Sequence, residues 1–288
     1  MKKQHKFALI GHGISYSRSG DVFEAIFETT GIPGTFEMFN IAPEELGRRL
    51  TGLAQEGVQG LSVTIPYKRA VIEYLGEIDT IARALEAVNS VAVDSGVLRG
   101  FNTDCYGFSL PLHPYSQKLK HGRALILGCG GVARAAVYSL YTDYEVRQFT
   151  VIGRTESKLP AFCESLQRWL SQIRIEPIVG TRFTHSMQPG TGYDIIVNCT
   201  PVGGWNHPAE SPFPKGLDWS VSGLYYDVNY NDDNRPVAEA RAAGLTVIDG
   251  SAMLVGQAIR SFDIWTGQAV PFEPVFRRVF GLTRGLIS

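Results

Sequence analysis

Apolar residues fall along this chain in two rhythms, short unbroken runs and helical spacings, and the two alternate. Residues 7–11 form a buried run, followed by a polar loop over 12–19. Ser19 then predicts the cap of a helix whose inner face is Val22, Phe23, Ile26 and Phe27 and which ends at Gly31. A second strand is predicted over 35–39. Pro43 opens a helix carrying Leu46, Leu50 and Leu53. Residues 60–64 read as a third strand, and Pro66 as the start of another helix that contains Lys68. Runs at 88–93 and 97–101, joined by Asp94-Ser95-Gly96, predict a hairpin at the edge of the sheet. This β-α-β-α-β-α order is that of an α/β domain with a mostly parallel sheet.

After a polar stretch over 112–122 the alternation resumes. Ala124-Leu125-Ile126-Leu127 is long enough for a buried strand and too short for a helix. It breaks into Gly128-Cys129-Gly130-Gly131-Val132-Ala133, and Ala135, Ala136, Val137 and Leu140 then recur at helical spacing. Strand, glycine turn and helix are the context in which a GxGGxA pattern binds a dinucleotide. The glycines let the backbone approach a pyrophosphate, whose charge meets the free amides of the helix start. The same elbow also opens other α/β folds, such as methyltransferases. The next strand, over 149–152, ends in Gly153-Arg154-Thr155, with Lys158 one helical turn on. An acid is the usual partner of the ribose hydroxyls of NAD at that point. Two cations in its place favour the 2′-phosphate of NADP. A helix over 156–170 follows, then strands at 194–198, 224–228 and 245–248, with a helix over 236–243 before the last. Long helices at 251–266 and 273–280 close the chain, and both are expected to return to the first domain.

Composition changes this picture little. A chain of 288 residues accommodates two domains, and 44% hydrophobic with 19% charged residues is ordinary for a globular core. A formal net charge of −1 gives no electrostatic case for nucleic acid or an anionic membrane. No apolar run is long enough for a membrane span, and the first residues lack the pattern of a secretory leader. Four cysteines, at 105, 129, 163 and 199, stand singly without a CxxC pair. They point to a reduced, cytoplasmic and metal-free protein.

Four polar clusters sit where sites collect in α/β sheets, past strand ends and at turns. They are the hydroxyls of residues 15–19, residues 62–68 with Thr64 and Lys68, Asn89 inside an apolar strand, and Asn102-Thr103-Asp104. Each has a plain structural alternative: a serine turn with a helix cap, a surface lysine, a satisfied amide, a second cap. Their joint occurrence in one domain favours a site. Met253 and Gln257 are four apart on one predicted helix and share a face.

In these motifs, and in Tyr226-Asp227-Val228-Asn229-Tyr230 and Asp249-Gly250, the chain resembles the shikimate dehydrogenase family along nearly its whole length. The resemblance implies an NADP-dependent oxidoreductase that reduces 3-dehydroshikimate to shikimate in aromatic amino-acid (chorismate) biosynthesis. It implies Lys68 and Asp104 as the catalytic pair. Ser17 and Ser19 match the holders of the substrate carboxylate, Thr64, Asn89 and Gln257 (with Asp104) the ligands of the ring hydroxyls, and Tyr230 the residue closing the pocket. For the cofactor it implies Gly128, Cys129, Gly130, Gly131 and Val132 at the pyrophosphate. Arg154, Thr155 and Lys158 match the 2′-phosphate pocket, and Thr200, Val228, Gly250 and Met253 the adenine and nicotinamide sites. The chain departs from the family at Gly20, Ser62, Phe101 and Gly153, in the Cys-Thr-Pro loop after Asn198, and in Gly250-Ser251-Ala252.

The expectation is therefore a two-domain α/β enzyme. Residues 1–112 with 252–288 would form the substrate-binding domain and residues 113–251 a Rossmann-like NADP domain, with the active site in the cleft between them. Its partner is a small-molecule substrate, with no nucleic acid and no membrane; monomer and homodimer both stay open. A quinate or dual quinate/shikimate dehydrogenase is the nearest rival. A non-catalytic dinucleotide-binding regulatory protein is the rival from another class.

Overall fold

The computed structural model describes residues 4–180, 192–214, 217 and 223–281. The chain divides into two compact units, one built from residues up to Gly107 together with those from Leu254, the other from Phe108–Met253.

The first unit runs β1 (His5–Gly11), α1 (Ser19–Thr30), β2 (Gly34–Asn40), α2 (Leu46–Gln55), β3 (Gly60–Val63), β4 (Glu77–Ile78), α3 (Thr80–Leu85), β5 (Ser90–Asp94), β6 (Val97–Phe101) and the start of α4 (Asp104–Ser109). Its six strands lie in the order β2-β1-β3-β5-β6-β4. β1 is parallel to β2 and β3, whereas β5 is antiparallel to β3 and to β6. The predicted hairpin is real but is not the edge, because two-residue β4 pairs parallel with β6 outside it. A strand that short carries no periodic signal of its own. One sheet face packs Ile10, Leu61, Val63 and Val91 against Leu46, Leu50 and Leu53 of α2. In the aromatic core of this unit, Trp265 and Phe262 approach Phe7 at 4.9 and 5.7 Å between ring centroids. Gly60 lies directly under that indole: a Cβ there would stand 2.1 Å from Trp265 Cδ2, so only glycine admits the ring.

The second unit continues through α5 (Ser116–Leu119), β7 (Arg123–Leu127), α6 (Gly131–Tyr144), β8 (Gln148–Gly153), α7 (Leu159–Gln167), β9 (Arg174–Val179), β10 (Ile195–Asn198), β11 (Leu224–Asp227), α8 (Arg235–Ala242) and β12 (Thr246–Ile248). All six strands are parallel, in the order β12-β11-β10-β7-β8-β9. The order reverses at β7, which is where ligands bind in doubly wound sheets. β9 has no counterpart in the sequence reading. Its Pro177 argues against a central strand, and β9 takes the edge, where a missing amide costs least.

α9 (Ser251–Thr266) and α10 (Phe272–Phe280) match the predicted closing helices. From Leu254 onward they belong to the first unit. α10 is fixed to α1 by an Arg278–Glu28 ion pair at 2.9 Å, and by Arg18, which donates to the Val279 carbonyl at 2.9 Å while lying over Phe280. The helix expected over 156–170 is a 3-10 turn at Glu156–Lys158 followed by α7.

Candidate active site

In the first unit three of the four polar clusters collect around Lys68. This lysine is not on a helix, as Pro66 suggested: residues 65–69 form turns, and a 3-10 helix begins only at Ala70. Tertiary bonds win over the local signal. The Tyr67 ring is buried with its hydroxyl bonded to the Ile41 carbonyl, and the Lys68 carbonyl accepts from Val88 N at 2.7 Å. The turn leaves the Lys68 side chain 15% exposed, with Nζ donating to Asp104 Oδ2 at 2.6 Å.

Asp104 opens α4 and is 3% exposed. Its second oxygen, Oδ1, accepts from Asn89 Nδ2 at 3.0 Å. Asn89, buried just before β5, shares the two hydrogens of Nδ2 also with Thr103 Oγ1 at 2.9 Å and, more distantly, Gln257 Oε1 of α9 at 3.3 Å, while its side-chain Oδ1 accepts from Thr103 N at 2.6 Å. So Lys68, Asp104, Asn89 and Gln257 form one hydrogen-bonded group. Thr64 directly follows β3 and is half-buried, its amide donating to the Ile10 carbonyl at 3.0 Å. Chemically, the group is a largely buried ammonium held by a buried carboxylate, beside amides that can read hydroxyls.

Ser17 and Ser19 form a second cluster of this unit. Ser17 Oγ donates to Ser19 Oγ at 3.0 Å. Ser19 is not the cap it was read as. Arg18 occupies that position without a side-chain cap bond, and Ser19 is the first helical residue. Its hydroxyl is engaged by Ser17 rather than by the helix backbone.

In the second unit the glycine turn lies where the sequence placed it. Gly128 takes φ +106°, a conformation that favours glycine, and its amide donates to the Ile152 carbonyl at 2.7 Å. Gly130 is the N-cap of α6 and caps it with no side chain, leaving the first-turn amides of Gly131 and Val132 to another acceptor. A Cβ on Gly130 would meet nothing within 4 Å, so the approach to those amides is open. Cys129 is half-buried, and burial pushes its thiol up while Lys158 and Arg134 oppose that shift. Arg154, Thr155 and Lys158 are exposed just past β8, and among the described residues neither cation forms an ion pair. A dinucleotide carrying a further phosphate fits this set: bare amides at a helix start, an open glycine, and two uncommitted cations.

The loops after β10 and β11 are tied by polar residues, Asp227, Asn198 and Asn229, to which the sequence reading assigned no role. Asp227 is fully buried and accepts from Tyr225 OH at 2.6 Å, Asn198 Nδ2 at 3.0 Å, Asn229 N at 2.9 Å and Asn229 Nδ2 at 2.8 Å. Burial raises its carboxyl above the ordinary value, against the pull of these donors. Thr200 is held by Asn198 Oδ1, at 3.0 Å from its amide and 2.7 Å from its hydroxyl, and the Val228 amide donates to the Asn198 carbonyl at 3.1 Å. Gly250 N donates to the Asn229 carbonyl at 3.0 Å. Tyr230 is half-buried in the loop after β11, and Met253 is buried one turn before Gln257 on α9. The available signal for Asp227 and Asn198 was a polar residue closing each of two apolar strands. Their partnership spans 29 residues and is not periodic.

Among the described residues no helix is long and apolar enough to cross a membrane, and no group of three or more His, Cys, Asp or Glu could hold a metal ion.

Comparison with known proteins matches both ends of the chain to one family. A model of the shikimate dehydrogenase substrate binding domain covers residues 9–91, and one of the shikimate 5'-dehydrogenase C-terminal domain covers residues 250–279. The shikimate dehydrogenase (NADP(+)) of Chlorobaculum tepidum is 36% identical over 280 residues, spanning 95% of this chain and 94% of that one. The crystal structure of shikimate 5-dehydrogenase from Thermus thermophilus in complex with NADP(H) and shikimate aligns with TM-score 0.80 at 28% identity, covering 96% of this chain and 98% of its own. The ligand-free 5-ketofructose reductase of a Gluconobacter strain aligns with TM-score 0.82 at 25% identity, covering 96% and 98%.

Proposed function

The chain belongs to the shikimate dehydrogenase family, and on that premise we propose that it catalyses the reversible, NADP-dependent reduction of 3-dehydroshikimate to shikimate. The observation that carries the reading is the Lys68 Nζ–Asp104 Oδ2 contact at 2.6 Å, held by Asn89 and Gln257. Reducing a ketone leaves an alkoxide that must receive a proton from a positioned group. Lys68 is that donor, and Asp104 orients it and accepts from the neighbouring ring hydroxyl. Thr64, Asn89 and Gln257 bond the remaining hydroxyls, Ser17 and Ser19 bind the carboxylate, and Tyr230 closes the pocket beside it.

NADPH, when bound, supplies the hydride. Gly128, Cys129, Gly130, Gly131 and Val132 receive its pyrophosphate, and Arg154, Thr155 and Lys158 its 2′-phosphate. Thr200, Val228, Gly250 and Met253 line the adenine and nicotinamide sites. Residues 1–112 with 252–288 serve the substrate and residues 113–251 the cofactor. Support comes from compact units that change over at Gly107/Phe108 and Met253/Leu254. The reaction is placed in the cytoplasm, in aromatic amino-acid synthesis.

The test is the loss of NADPH absorbance on addition of 3-dehydroshikimate, with 3-dehydroquinate and 5-ketofructose in parallel. Turnover with 3-dehydroshikimate as the best substrate is the expected result. Faster turnover of either alternative would reassign the substrate. NADPH binding without oxidation in all three would make the chain a dinucleotide-binding protein that is not an enzyme.

A further inference from the structure

Two hydroxyls beneath the Lys68 group have no part in the reading above. Thr103 is 1% exposed, and Ser261, one turn after Gln257 on α9, is fully buried. Their hydrogen bonds have a direction that can be worked out proton by proton. Ser261 Oγ donates to the Gln257 carbonyl at 2.9 Å. A serine hydroxyl has one hydrogen, so toward Thr103 Oγ1, 3.0 Å away, Ser261 is the acceptor and Thr103 the donor. Thr103 has then spent its only hydrogen, and toward Asn89 Nδ2 at 2.9 Å its oxygen accepts. The chain of donation therefore runs Asn89 to Thr103 to Ser261 to the backbone of α9.

The same amino group reaches Asp104 Oδ1 at 3.0 Å, while Lys68 takes Asp104 Oδ2. Were the Asn89 amide reversed, its carbonyl oxygen would face both the carboxylate and an oxygen that is itself an acceptor. We propose that Ser261 is a positioning residue for the reaction. The Asn89 amide is oriented first by Thr103 N, which donates to its Oδ1 at 2.6 Å; by drawing the Thr103 hydrogen toward α9, Ser261 keeps Thr103 Oγ1 an acceptor for the same amide, reinforces Asn89 as a donor to Asp104, and so helps leave Asp104 Oδ2 aimed at Lys68. The proposal rests on the reading of Lys68 and Asp104 as the acid-base pair. Neither Ser261 nor Thr103 touches substrate in that reading.

The test compares Ser261→Ala with Ser261→Thr, which keeps the hydroxyl, and Thr103→Val with Thr103→Ser. Each is assayed for kcat and KM per mole of folded enzyme. Losing one bond of the chain should lower kcat about three- to tenfold in Ser261→Ala, with KM for 3-dehydroshikimate changed less than about twofold. Ser261→Thr should recover the wild-type kcat. The double variant Ser261→Ala/Thr103→Val should be no slower than Thr103→Val alone, because both cut the same chain. A serine that only packs would lower the melting temperature and leave kcat of the folded enzyme unchanged; that result overturns the proposal, as does an equal kcat loss in Ser261→Thr. If Ser261→Ala does not fold, the Thr103→Val and Thr103→Ser pair decides in the same way. Lys68→Ala is run alongside. Retained turnover there would remove the reading of the site itself, whereas an inactive Lys68→Ala with a wild-type Ser261→Ala removes only the role of Ser261.

Discussion

Among the described residues each unit buries one carboxylate almost completely, Asp104 at 3% exposure and Asp227 at 0%, and the two are kept in opposite ways. Asp104 faces a cation: Lys68 sits on one oxygen and the Asn89 amide on the other. Asp227 is met by neutral donors from Tyr225, Asn198 and Asn229, with no ion pair among the described residues. A buried acid beside a largely buried ammonium holds a charged donor in a fixed direction. A buried acid surrounded by neutral amides and a phenol has only bonds to keep, and what it keeps is the conformation of the loops after β10 and β11. The same side chain therefore belongs to the proposed acid-base pair in the first unit and to scaffolding in the second. The difference lies in the partner, not in the burial.

Four substitutions or substrates probe that contrast. Lys68→Ala removes the proposed proton donor, and kcat should fall on the order of 10²–10⁴. A near-normal kcat would make the Lys68–Asp104 pair as structural as Asp227. Arg154→Ala tests the cations just past β8. NADP binding should weaken about ten- to a hundredfold while NAD, which lacks the phosphate, is nearly unaffected. Equal losses for both cofactors would make Arg154 a surface residue. Substrate choice comes next. Quinate carries one hydroxyl more than shikimate near the carboxylate, where Ser17 and Ser19 already bond one another. An unpaired buried hydroxyl should hold kcat/KM for quinate at least about tenfold below that for shikimate. Steady-state rates with both acids and NADP⁺ check this, and comparable values would refute it.

The smallest effect belongs to Asp227→Asn. It should leave kcat at saturation within about twofold and lower Tm by about 3–8 °C, through donors left facing an amino group. Its pH signature is specific. Burial raises the Asp227 carboxyl above 3.8, so between that value and the raised one the folded chain binds more protons than the unfolded chain. Stability contributed by this group therefore falls as pH rises through the window and is level above it. The Asn variant should lack that slope in Tm against pH. An unchanged slope would show that Asp227 ionises as freely folded as unfolded.

How far the sequence could be read depended on whether a signal was local. The glycine elbow at Gly128–Gly131, the helix pairing Met253 with Gln257, and five of the six parallel strands of the second unit each lie within one periodic window, and each stands in the structure. The turn holding Lys68 does not: Pro66 is a sound helix signal, overridden by the buried Tyr67 and by a backbone bond from Val88. β4 is too short to register, and β9 is masked by a proline that its edge position tolerates. The polar groups followed the same rule. Lys68, Asp104, Asn89 and Gln257 were legible through their motifs. Ser261 and Thr103 are separated by 158 residues, and Asn198 and Asp227 by 29, so only the fold brings each pair together.

The most direct test of the contrast between a chemical and a structural carboxylate is calorimetric titration of shikimate into Lys68→Ala. A proton donor is needed for turnover and not for holding the ring, so shikimate should bind the variant with a Kd within about tenfold of wild type while its turnover is lost. Loss of binding in a folded Lys68→Ala would make Lys68 a ligand or a structural residue and contradict its role as the acid.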